Sequence, residues 1–212
     1  MWGYFIISLF IDTSFSNVSI SIVKDNKILS IIQKNIPNMH SVYTTKFVKD
    51  ALDEAGIDAN DIDNIMVVNG PGSFTGVRIG VTIAKTYGYL IKRDLTLVSS
   101  LKSLAISSNY NGTIMSIIPA NKTNYYVGIY DKEYNNIIDE CCVKNNEVLE
   151  LCSKYNPYIV GVDASVIGKY KINKVNLDIL KIVDYYLDKE KVNPHAALPN
   201  YLKLPQALED KK

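Results

Sequence analysis

Asn69-Gly-Pro-Gly-Ser-Phe-Thr-Gly-Val-Arg-Ile-Gly80 joins two apolar segments, Ile65-Met-Val-Val68 before it and Val77 to Ile91 after it. The first is short and reads as a buried strand; the second is long and reads as a helix. The stretch is therefore a junction of strand, glycine loop and helix. Such a junction either holds an anion at the helix N-terminus or brings the helix end close to neighbouring backbone. Gly70-Pro71-Gly72 predicts a tight turn, because proline fixes φ and glycine accepts positive φ. Ser73 and Thr75 offer hydroxyls to cap the helix start, a contribution of about 0.5–2 kcal/mol. Arg78 is expected in the first turn, where the helix dipole disfavours a cation. It is one of two arginines in the chain, and the local cost predicts a contact outside the helix.

Within the helix, Gly76, Gly80, Ala84 and Gly88 recur every fourth residue. Each interior glycine costs about 1 kcal/mol against alanine, so the stripe predicts a second backbone packed against it. Val77, Ile79, Val81, Ile83, Leu90 and Ile91 cover much of the remaining circumference. A helix apolar nearly all round is buried on more than one side. The expectation is that the core of this chain covers one side and a second chain covers another. The expected partner or dimer interface is therefore Gly76, Val77, Gly80, Val81, Ala84 and Gly88. A membrane reading fails, since Lys85, Lys92 and Arg93 interrupt the segment and a span needs about 20 apolar residues.

Outward from this junction, Ile6 to Asp12, Val18 to Val23 and Lys27 to Gln33 read as three strands of an antiparallel meander. Pro37 to Ser41 reads as a loop carrying His40, either a plain surface residue or part of the partner interface. A helix is predicted from Val42 to Ala55, stopped by Gly56, with an acidic linker from Asp58 to Asn64. After the junction, Leu95 to Val98 is a short strand and Ser99 to Ser108 a short helix. The pattern then recurs: strands at Thr113–Ile118, Tyr125–Tyr130 and Ile137–Val143, a helix at Glu147–Tyr155 and a strand at Tyr158–Val162. This predicts an α/β chain of two related lobes, 1–99 and 100–212, the second abbreviated. A last helix is expected from Asp178 to Asp188, followed by an irregular tail, Pro194 to Pro205, docked on the surface.

Composition narrows the function classes. The 212 residues are 47% hydrophobic and 21% charged, with a net charge of +1. No global basic field drives nucleic-acid or membrane binding. Cys141, Cys142 and Cys152 form no CxxC pair, and their odd number argues against a disulfide framework. They are read as reduced thiols of a cytoplasmic protein. The apolar opening, Trp2 to Ile11, lacks a basic region and a cleavage site and reads as a buried first strand.

Gly70-Pro-Gly-Ser-Phe-Thr-Gly-Val-Arg-Ile-Gly80 closely resembles the signature of the TsaB (YeaZ) family, a bacterial tRNA-modification component. Further likeness runs along the chain: Asp12-Thr13-Ser14 after the first strand, His40-Ser41 before the first helix, Val98-Ser-Ser-Leu101, and Pro199-Asn-Tyr-Leu-Lys203. One departure stands out. Where the family usually has an Asp-Ala-Arg turn, this chain reads Pro119-Ala120-Asn121-Lys122. The resemblance implies the actin-like (ribonuclease H-like) ATPase fold, with two similar lobes built on mixed sheets. It also implies a non-catalytic role beside the transferase TsaD in forming threonylcarbamoyladenosine next to the anticodon of tRNAs reading codons that start with A. By the same resemblance, TsaE is expected to join such a complex, the free chain to form homodimers on much the same surface, and tRNA to be met through the complex. ATP or ADP is then expected at the junction with the partner, near Asp12, Ser73, Thr75 and Arg78, and no cofactor of this chain's own is implied.

Catalytic readings find little support in the residues. TsaD carries a His-x-x-x-His metal pair; here His40 and His195 stand far apart, and no ligand cluster replaces the pair. No Walker A lysine loop is present, and Ser73 lacks the frame of a nucleophile elbow. An autonomous ATPase or kinase-like enzyme of the actin-like superfamily is the alternative reading, resting on Asp12 and the two-lobe pattern. The glycine loop itself keeps two readings, close packing or phosphate binding.

Overall fold

The computed structural model describes residues 6–37, 39–163 and 165–202. Trp2 to Phe5 of the apolar opening, and Lys203 to Pro205 of the tail, lie outside the described residues. The described residues divide into two compact units, one formed by residues 6–100 with 178–199, the other by residues 101–177 with 200–202.

The first unit is built on β1 (Ile7–Asp12), β2 (Asn17–Lys24) and β3 (Lys27–Asn35), with β4 (Asn64–Gly70) and β5 (Leu95–Ser99). The expected meander is present: β1 pairs antiparallel with β2, and β2 with β3. β4 then lies parallel to β1 with Ile11 beside Val67, and β5 parallel to β4. All six residues of β1 are buried, as expected of a central strand covered on both faces. Leu9, Ile11, Ile20, Ile22, Ile65 and Val67 share one core with Val48, Ala51 and Leu52 of α1 (His40–Ala55) and Val77, Val81 and Ala84 of α2 (Phe74–Ile91).

The second unit repeats this plan. β6 (Ile114–Pro119), β7 (Asn124–Tyr130) and β8 (Asn136–Lys144) form a second antiparallel meander, and β9 (Tyr158–Gly161) lies parallel to β6. β10 (Ser165–Ile167) and β11 (Tyr170–Lys174) complete it, giving the sheet order β10-β11-β9-β6-β7-β8. Met115, Ile117, Val127 and Ile129 pack under Val148 and Cys152 of α4 (Asn145–Tyr155), an element that follows α3 (Ser100–Ser107) in chain order. The abbreviation has a definite place. Where the first unit crosses from β4 to β5 through the 18-residue α2, the second passes from β9 to β11 through a three-residue strand.

The chain divides differently from a split at residue 99. α5 (Ile179–Tyr186) and β12 (Lys191–Val192) belong to the first unit, and β12 adds to its sheet beside β5, giving the order β12-β5-β4-β1-β2-β3. The driving force is burial, since Ile179, Ile182, Val183 and Tyr186 form an apolar face that is almost wholly covered. Two mixed six-stranded sheets of matching order, each with helices, make this the actin-like α/β fold.

Candidate functional site: the glycine loop and the helix it starts

The loop after β4 packs against the turn after β1. Asp12 ends β1 and accepts from both Ser14 N (2.8 Å) and Ser14 Oγ (2.6 Å). The turn so formed points its Ser14 carbonyl at the glycine loop, where it accepts from Ser73 N at 2.8 Å. Thr13 Oγ1 donates to the Gly76 carbonyl at 2.7 Å. Ser73 caps α2, its hydroxyl accepting from Gly76 N at 3.3 Å. Two of the amides that would cradle a phosphate are therefore already bonded, and a carbonyl dipole faces the loop with its negative end. This arrangement matches the packing reading of the glycines.

Burial pushes the Asp12 carboxyl above its ordinary value, opposed by its bonds to Ser14 and by the charge of His40. Asp12 is 3% exposed, so its environment favours a neutral or hydrogen-bonded acid over an open metal ligand. Among the described residues, no group of three His, Cys, Asp or Glu side chains converges on a common point.

Three expectations change on inspection. α2 begins at Phe74, with Ser73 as its cap, so Arg78 lies beyond the first turn and avoids the unfavourable end of the dipole. Its guanidinium stands 3.9 Å from the centroid of the Phe74 ring. His40 is the first residue of α1 and not a loop residue. It is 9% exposed, and its Nε2 lies 2.7 Å from the Phe15 carbonyl, which ties the start of α1 to the turn after β1. The third change concerns the small-residue stripe, which this chain covers by itself. A Cβ on Gly76 would collide with the Thr13 carbonyl and one on Gly80 with Thr13 Oγ1. A Cβ on Gly88 would come within 3.0 Å of Pro194 Cγ and 2.8 Å of Leu95 Cδ2.

The tail supplies the second cover. Pro194–Ala196 forms a short 3-10 turn, and Ala197 is fully buried in the core under α2. Lys85 Nζ donates to the carbonyls of His195 (3.3 Å) and Ala197 (3.1 Å), and Asn69 Nδ2 donates to that of Leu198 (3.1 Å). Gly76, Val77, Gly80, Val81, Ala84 and Gly88 are thus all buried within the unit. Their close-approach requirement is met without a second chain.

What α2 leaves exposed is the opposite face. Thr75, Thr82, Thr86 and Leu90 are exposed, and Ile79 and Ile83 are half-buried beside them. Leu90 is 68% exposed, and on α1 Val42 is 60% exposed. On α1 the exposed Tyr43 stacks at 5.9 Å on Phe47, which is half-buried against the core. The two helices contact each other on the same face of the sheet. Sequence reasoning missed this outer face because it followed the glycines; the residues three, four and seven positions after Ile79 (Thr82, Ile83 and Thr86) carried the signal.

In the second unit, the turn that departs from the family pattern is held by Asn121. Asn121 Oδ1 accepts from Thr123 N (2.9 Å) and Asn124 N (2.8 Å). It plays in the β6–β7 hairpin the part that the Asp12 carboxylate plays between β1 and β2.

A family model described as TsaD, tRNA N6-adenosine threonylcarbamoyltransferase, matches residues 28–191. The tRNA threonylcarbamoyladenosine biosynthesis protein TsaB of Bacillus subtilis is 29% identical over 219 residues, spanning 94% of this chain and 95% of that protein. The chain belongs to the TsaB (YeaZ) family. YeaZ from Pseudomonas aeruginosa shares the fold, with a TM-score of 0.74 over 93% of this chain and 100% of that one at 23% identity. A tRNA N6-adenosine threonylcarbamoyltransferase of Malacoplasma penetrans is 27% identical over 69% of this chain and 53% of its own length. No helix among the described residues is long and apolar enough to cross a membrane.

Proposed function

We propose that this chain acts in the formation of threonylcarbamoyladenosine on tRNA, as a non-catalytic subunit that binds and supports the transferase TsaD. The likeness to proteins named for this pathway supports the role, extending over 94% of the chain in the Bacillus subtilis case. The observation that carries the non-catalytic reading is the Ser14 carbonyl bonded to Ser73 N inside the glycine loop at 2.8 Å. It fills the position a phosphate would need with a group of the wrong polarity. The contact surface for TsaD is the outer face of α1 and α2, with Val42, Ile79, Thr82, Ile83, Thr86 and Leu90, and the free chain pairs with a second copy through the same face. That face is apolar and hydroxyl-rich and carries few charges at its centre, the composition favoured in interface cores. TsaE joins the assembly, and tRNA is met through it. ATP or ADP, where the complex holds one, meets this chain at the exposed Thr75 and Arg78.

Reconstitution tests the reading. Purified TsaD and TsaE of the same source, threonylcarbamoyl-adenylate and substrate tRNA are combined with and without this chain. Modification is expected to require the chain and to persist with Asp12→Asn or Ser73→Ala. Loss of modification with either variant, while the complex still assembles, would assign chemistry to the loop. ATP hydrolysis by the purified chain that vanishes in Asp12→Ala would favour the autonomous ATPase instead.

A further inference from the structure

At the end of the first unit's sheet away from the glycine loop, a cavity of about 130 Å³ opens between the start of β1, the β2–β3 turn and α5. Its apolar wall is Val23, Val183 and Leu187, and its polar groups include Ser8, Asp25 and Asp184. Ser8 and Val23 are direct cross-strand partners on β1 and β2, so they face the cavity together. Ser8 is 2% exposed, and its hydroxyl has no hydrogen-bond partner among the described residues. That hydroxyl opens onto the cavity, where a ligand or water completes its bonding.

The electrostatics give the sign of the missing group. Asp25 and Asp184 are both acidic, and the cavity lies against the C-terminal part of α5, where the helix dipole is negative. The last turn of α5 carries no basic residue. Lys24 and Lys27 flank Asp25 in sequence, but neither lines the cavity.

We propose that this cavity binds a primary alkylammonium group. An ammonium has three donors, and Ser8 Oγ, the Asp25 carboxylate and the Asp184 carboxylate offer three acceptors. The apolar wall takes a stem of a few methylenes, as amphipathic cations favour. The same chemistry is presented by a free diamine and by a lysine side chain of a protein. The inference stands independently of the proposed partnership with TsaD.

The test is a ¹H–¹⁵N chemical-shift titration of the full chain with n-butylammonium chloride, using n-butanol as the neutral control at matched ionic strength. Saturable shifts at Ser8, Asp25 and Asp184 are expected, with butanol binding about tenfold or more weakly, as loss of charge-assisted bonds implies. Asp184→Asn, on an exposed position, should weaken binding about tenfold, and Ser8→Ala should weaken it less. Putrescine and Nα-acetyl-lysine methylamide form two further arms. Tighter binding of putrescine assigns the site to free diamines, and tighter binding of the lysine analogue assigns it to a protein side chain. Equal binding of butanol, absence of saturable shifts at these residues, or indifference to Asp184→Asn would overturn the proposal.

Discussion

Thr13 Oγ1 donates to the Gly76 carbonyl at 2.7 Å, joining the turn after β1 to the first turns of α2. The same hydroxyl occupies the space a side chain on Gly80 would need. One threonine thus accounts for two glycines of the stripe. The glycines bring α2 close enough to β1 for a side chain to bond a helical carbonyl, which compensates part of their cost in helix propensity.

Gly80→Ala is therefore expected to destabilise the chain by about 1–3 kcal/mol, although alanine is the better helix former. Chemical denaturation of Gly80→Ala, Thr13→Ala and the double variant measures the coupling. The double variant should lose less than the sum of the singles. Strict additivity would show that the two residues do not share the space.

Lys85 holds the returning tail by two carbonyl contacts. Lys85→Met removes both and keeps the aliphatic stem. A loss of about 1 kcal/mol is expected, since the site is partly solvated. Hydrogen exchange at Ala196, Ala197 and Leu198 should quicken while the amides of β1 and β4 remain protected. Unchanged exchange in that segment would mean that Ala197 burial alone fixes the tail.

The Asp12 carboxyl is raised above 3.8 by burial. The folded state therefore binds a proton more tightly than the unfolded state, and stability falls as pH rises from 3.8 through the raised value. Asp12→Asn keeps an acceptor for Ser14 and removes the buried charge. It should be more stable than the parent at neutral pH, with the advantage shrinking as pH falls and levelling out below 3.8. An advantage independent of pH would place its origin elsewhere.

The sequence carried the local architecture well. Strand periodicity located the meanders, and Gly56 stops α1 in the left-handed conformation that only glycine adopts without cost. The glycine loop read correctly as a strand-to-helix corner. Its companions were not legible, because Thr13 lies 63 residues from Gly76 and the tail lies more than a hundred from Lys85. A stripe of small residues specifies a close neighbour but not whose backbone supplies it. The start of α1 was placed late because Met39 provides no capping side chain, so the usual boundary signal is missing. α5 read correctly as a helix, yet its docking on the first unit depends on tertiary burial that no local window contains.

The outer faces of α1 and α2 carry the proposed contact with TsaD, and Val42 and Leu90 are strongly exposed aliphatic residues there, at 60% and 68%. Substitutions there should change folding stability by no more than about 0.5 kcal/mol. The most direct measurement is size-exclusion chromatography of the Val42→Glu/Leu90→Glu variant mixed with TsaD of the same source, beside its unfolding curve alone. The account predicts a parent-like unfolding midpoint and complete loss of co-elution. Co-elution at full stoichiometry with a properly folded variant would contradict it.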